Sequence, residues 1–169
     1  MEEIKHLKYH EYIKDHPDYL INIGVMMVNW ACSSFCFYLV PYFLSHQLGR
    51  TGSLNVFQLS LSQYSGELLA CLFSVILARY IPSSKHALAL SHLITVLSAL
   101  IFLFSDTSGP FQLIALFLCR FGVTTAFNLS YTIMRELFET LVRTTSFGVC
   151  NVTARALTIS APVIALSFK

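Results

Sequence analysis

Charge is scarce in this chain. Lys and Arg number 11 and Asp and Glu 9 in 169 residues, 12% charged against 55% hydrophobic. A soluble domain needs about 25% charged residues to keep a hydrated surface. This composition therefore excludes an ordinary water-soluble globule and makes the bilayer the expected solvent. A net charge of +2 is too slight for a nucleic-acid binder. The sequence also lacks a CxxC pair, a Gly-rich phosphate loop, GxSxG and HExxH, so no enzymatic chemistry and no cofactor are expected. The N-terminal segment 1–19 has neither a basic-then-apolar signal pattern nor the acid-poor character of a transit peptide.

What the sequence has is long apolar runs. Five occur, at roughly 20–44, 55–78, 86–105, 110–134 and 144–168. Each is long enough to cross about 30 Å of hydrocarbon at about 1.5 Å per residue. Short linkers rich in Gly, Pro and polar residues separate them, at 49–53, 82–84, 106–110 and the charged junction 135–143. The expected fold is an all-α membrane protein with a polar lead-in at 1–19 and a five-helix transmembrane domain at 20–169.

Ile4, Leu7 and Ile13 give the lead-in one weakly apolar face, suited to an interface or a partner. His6 and His10 share that helical spacing, but without further ligands they read as a solvated face and not a metal site. Pro41 marks a bend or a tolerated position near the end of the first run. Cys32, Cys36, Cys71, Cys119 and Cys150 all fall in apolar runs and read as small core hydrophobes. The sequons at Asn128 and Asn151 lie inside runs, out of reach of glycosylation.

Basic residues alternate from side to side. Lys5, Lys8 and Lys14 precede the first run, Arg79 and Lys85 lie between the second and third, and Arg135 and Arg143 between the fourth and fifth. Of the basic residues, only Arg50 falls in the alternate loops. The positive-inside rule then predicts an inside N-terminus and an outside C-terminus, in a membrane that could be the mitochondrial inner membrane or the plasma membrane.

Three ionisable residues stand deep in runs. Glu67 is about twelve residues into the second, ~18 Å by helical rise. Arg120 is about ten into the fourth, ~15 Å, and Arg155 about twelve into the fifth, ~18 Å. All three are expected near the bilayer midplane, where an unpaired charge costs roughly 2.5–3.5 kcal/mol. Glu67 is the one acid at that depth, so it should pair with Arg155 or Arg120. Such a group is either a structural ion pair or a site for a charged solute or proton relay. His92 is expected to hydrogen-bond between helices.

The junction carries a resemblance. Glu136-Leu137-Phe138-Glu139-Thr140, followed by Val142-Arg143, resembles the E-L-F-P-T-x-V-R motif of the major facilitator superfamily. The similarity is to the branch of organic-ion transporters and synaptic-vesicle-protein relatives. Phe147-Gly148, Ala154-Arg155 and Ala161-Pro162 are similar to that family's eleventh helix, Ser65-Gly66-Glu67 to its eighth, and Arg120-Phe121-Gly122 to the start of its tenth. Ala78-Arg79 to Lys85 loosely resembles its basic loop.

The resemblance covers roughly 22–168, helices seven to eleven. It implies that Glu67 and Arg155 face a central cavity and that Glu136, Thr140 and Arg143 belong to an inside-face gate. Glu139 replaces the motif's proline, and counterparts of the first six helices and the twelfth are not in the sequence. Alternating access needs two halves around a shared site. The expectation is therefore a transporter-derived accessory subunit of a larger membrane complex, in contact with lipid and with other membrane subunits. The alternative is half of an organic-ion transporter completed by another chain, and a homodimerising miniature transporter is a third reading. Only with a second half would a small organic ion be a ligand.

Overall fold

The computed structural model describes residues 14, 16–51, 56–81, 83–104 and 109–167. Its elements are α1 (Asp18–Thr51), α2 (Val56–Tyr80), α3 (Ser84–Phe104), α4 (Gly109–Leu137), α5 (Thr140–Thr158) and α6 (Ser160–Ser167). Five candidate membrane spans lie within them, at Asp18–Leu39, Ser60–Tyr80, Ser84–Phe102, Leu113–Leu137 and Val142–Ile164. All five are long and apolar enough to cross a membrane, as an integral multi-pass protein requires. Ile4, Leu7, His6, His10 and Ile13 lie outside the described residues.

Two boundaries differ from the apolar pattern. The helix of the first run continues through Pro41 and Gly49 to Thr51, where a linker was expected. The fifth run is interrupted at Ile159, which separates α5 from α6. Pro162 supplies the reason: its ring lacks an N–H and crowds the carbonyl four residues back, at Thr158, so the chain opens a turn there. Ile159 keeps helical dihedrals, and its N–H still reaches the Arg155 carbonyl at 3.3 Å. The interruption is a kink within one span.

α4 is the hub. In its span 61% of the residues are buried, against 17–28% in the other four, and α1, α2 and α3 all pack on it. The α3 contact rests on small residues, because close helix approach in a membrane depends on them. Ala87, Ser91 and Ser98 of α3 are fully buried. A Cβ at Gly122 would stand 2.5 Å from Thr95 Oγ1 and 2.9 Å from its backbone nitrogen. The α2 contact is similar, since a Cβ at Gly66 would stand 2.8 Å from the Phe117 carbonyl oxygen.

On the other side, α1 lies between α4 and α5 and holds them with aromatic rings. Trp30, 1% exposed, has ring centroids of Tyr131 at 4.8 Å, Phe147 at 5.0 Å and Phe127 at 5.4 Å. Tyr19 starts this core: it is buried, edge-on to Phe138, and its hydroxyl lies 2.8 Å from Ser146 Oγ.

Helix direction alternates along the chain, so α1 begins, α2 ends, α3 begins, α4 ends and α5 begins at one end of the bundle. Lys14, Arg79, Lys85, Arg135 and Arg143 all stand at that end. The cysteines are free and divided: Cys119 and Cys150 are buried, while Cys32 and Cys71 face outward, which corrects the expectation that all serve the core.

Candidate functional site

The charged residues gather around Phe37 and Tyr38 of α1. α4 brings Arg120 to one side of this pair of rings. Its Nη1 donates to the Phe37 carbonyl at 2.6 Å, and its guanidinium carbon lies 3.5 Å from the Phe37 ring centroid. Its Nη2 reaches Glu67 Oε2 of α2 at 3.1 Å. Arg120 thus combines an ion pair, a charge-assisted carbonyl bond and a cation–π contact in a setting that leaves its side chain 8% exposed, with Glu67 at 33%. The parallel packing of α2 on α4 makes this register. Ser62 Oγ donates to the Leu113 carbonyl at 2.9 Å up to two turns before, and Asn128 Nδ2 donates to Ser74 Oγ at 3.3 Å two turns beyond.

α5 brings Arg155 to the other side of α1. Its Nη1 donates to the Tyr38 hydroxyl at 2.8 Å, and the guanidinium carbon lies 5.8 Å from that ring's centroid. Arg155 is exposed. It borders an open cleft of about 340 Å³ lined also by Tyr38, Thr158, Ile159 and Pro162, so the kink after α5 forms part of the cleft wall.

Of the two arginines that could neutralise Glu67, Arg120 does so and Arg155 does not. The reason is which helices adjoin: α2 packs on α4 and has no substantial contact with α5. Glu67 and Arg120 each stand eleven residues after the first residue of their helices, Val56–Tyr80 and Gly109–Leu137, about 16 Å along each.

The motif residues of the junction take separate partners. Arg143 turns back onto the end of α4, with Nε donating to the Phe138 carbonyl and Nη2 to the Arg135 carbonyl, both at 3.1 Å. These are carbonyls that a helix C-terminus leaves without internal partners, and a cation there also meets the favourable end of the helix dipole. Glu136 Oε1 accepts from Ser84 Oγ at 2.7 Å, tying the end of α4 to the start of α3. Thr140 is exposed as the first residue of α5, after Glu139 in extended conformation. Arg143 thus holds the α4–α5 corner together, and Glu136 ties that corner to α3.

A second polar group joins three helices. His92 Nε2 of α3 lies 2.9 Å from Asn29 Oδ1 of α1, and Asn29 Nδ2 donates to Ser130 Oγ of α4 at 2.7 Å. The interhelical bond of His92 was expected from its position in an apolar run. Its partner Asn29 was not, although an amide within a span is itself a signal for such a bond. Phe37 and Tyr38 were also missed, because nothing in an apolar run marks which ring meets an arginine.

No protein-family model matches this chain, and no curated protein matches it.

Proposed function

We propose that this chain is a non-enzymatic, transporter-derived subunit of a larger membrane assembly, oriented with its basic end inside. The observation that carries this reading is Arg155, an exposed guanidinium within a candidate span, bonded to a tyrosine hydroxyl. A charge on a span surface is costly against hydrocarbon, so that face belongs against protein or a watery cavity. Glu67 and Arg120 satisfy each other inside the bundle, consistent with an ion pair that sets helix packing. The junction contacts of Arg143 and Glu136 are likewise those of a packed corner. The resemblance to helices seven to eleven of the major facilitator superfamily supplies the descent.

A second reading is one half of an organic-ion transporter completed by another chain. The cleft beside Arg155 favours it, since this cleft could form one wall of a central cavity.

Native mass measurement of the particle extracted in mild detergent tests the proposal. A subunit gives a mass well above the 19.0 kDa of one chain, with additional polypeptides in fixed ratio. A particle of one chain that supports substrate-dependent flux after reconstitution overturns it. A complex with a single second transporter half, active in flux, selects the second reading. Orientation is tested by Lys85→Cys, which an impermeant thiol reagent should label only from inside.

A further inference from the structure

A hydroxyl within a helix has a ready partner in the carbonyl four residues back. Ser91, Thr125, Ser130, Ser146 and Thr158 all use it. Ser33 and Thr124 do not. Their hydroxyl oxygens are buried with no protein partner, and so are Arg120 Nε and Trp30 Nε1. Among the described residues these are the buried side-chain atoms left unpartnered, and all four belong to α1 or α4.

Register places them together. α1 and α4 run antiparallel, with Asn29 on Ser130, Trp30 on Phe127 and Phe37 on Arg120. The same register sets Ser33 opposite Thr124, one helical turn from the Phe37–Arg120 contact and one from Trp30. The four residues are 1–6% exposed, so bulk water does not serve them. Arg Nε–H and the indole N–H can only donate, and both hydroxyls can donate as well. Two obligate donors and two hydroxyls, all left without partners along one seam, call for a small acceptor.

We propose that the α1–α4 seam holds a buried site for a small hydrogen-bond acceptor, a water molecule or a halide ion, bounded by Ser33, Thr124, Arg120 Nε and the Trp30 indole. Buried waters characteristically occupy such groups of unmet polar atoms. The bound acceptor completes the guanidinium of Arg120, whose other edges go to Glu67 and to the Phe37 carbonyl. It therefore steadies the ion pair from the α1 side. Glu67 and Arg120 together are neutral, which suits water; Arg155 adds a positive charge across α1, which suits an anion.

The site can be tested by determining the structure from crystals grown in lipid with bromide. An anomalous peak in the seam identifies a halide, and density without anomalous signal identifies water. A seam without density, with Ser33 and Thr124 hydroxyls turned onto their own helix carbonyls, overturns the proposal. Solution spectroscopy adds a second test, because Trp30 is the chain's single tryptophan. The double variant Ser33→Ala/Thr124→Val should move Trp30 emission to shorter wavelength, and Thr124→Ser should leave it in place. If a halide is bound, bromide quenches wild-type emission saturably and the double variant loses that component. Identical emission in the folded double variant and wild type overturns the site.

Discussion

α3 and α5 are equally peripheral, yet they meet their surroundings differently. Each buries 17% of its span within the chain. The outward residues of α3 include Leu93, Val96, Leu97 and Ile101, all aliphatic and about half exposed. Those of α5 include Thr144, Thr145, Val152 and Arg155. The first surface matches hydrocarbon, while the second puts a guanidinium where lipid would be. Similar exposure thus has opposite meanings: α3 presents a face suited to an apolar solvent, and α5 one suited to protein or to water. Their anchoring differs too, since α3 is held by close approach at Gly122 and α5 by the rings around Trp30.

The largest effect should come from the ring anchor. Trp30→Ala should cost about 3–5 kcal/mol, the range for truncating a large buried side chain. It should loosen α5 and leave α3 in place. Thiol reactivity distinguishes the two: buried Cys150 on α5 should become reactive, while Cys119, which neighbours Ser98 of α3, stays protected.

Next is the exchange of surfaces. Leu93→Arg on α3 should make insertion of that span less favourable by about 2.5–3.5 kcal/mol, as read in a reporter assay of membrane insertion. Arg155→Leu on α5 should ease insertion, and on the proposed reading it should reduce the mass of the native particle. If Leu93→Arg inserts as well as wild type, α3 does not face lipid.

A smaller loss is expected at the small-residue anchor. Gly122→Val should destabilise the bundle by about 1–3 kcal/mol, as overpacking does, with the reactivity pattern reversed: Cys119 exposed and Cys150 protected. The smallest change is Glu67→Gln. It leaves the Arg120 charge without its acid but still bonded to the Phe37 carbonyl. The amide oxygen introduced there can still accept from Arg120, so the cost should be about 1–2 kcal/mol in thermal unfolding.

The spans were legible because hydrophobicity accumulates over twenty residues and survives local error. Kinks were less so: Pro41 and Pro162 are both prolines inside apolar runs, but only at Pro162 is a helical run interrupted nearby. At the site, the sequence narrowed the partner of Glu67 to two arginines and could go no further. Depth is a one-dimensional coordinate, and Arg120 and Arg155 have nearly the same value of it. The polar seam of Ser33 and Thr124 was invisible, because a hydroxyl in a helix ordinarily bonds to its own backbone.

The sequence by itself determined five apolar runs long enough to cross a membrane, the alternation of their direction and the collection of basic residues at one end. These follow from composition and chain length, and from the cost of placing charge in hydrocarbon. Tertiary structure alone decided that α4 is the hub, that Glu67 belongs to Arg120, and that Arg155 is left with Tyr38 on an open face. Those outcomes depend on which helix surfaces meet. Helices of nearly equal hydropathy differ in this only through the placement of small residues and rings around their circumference.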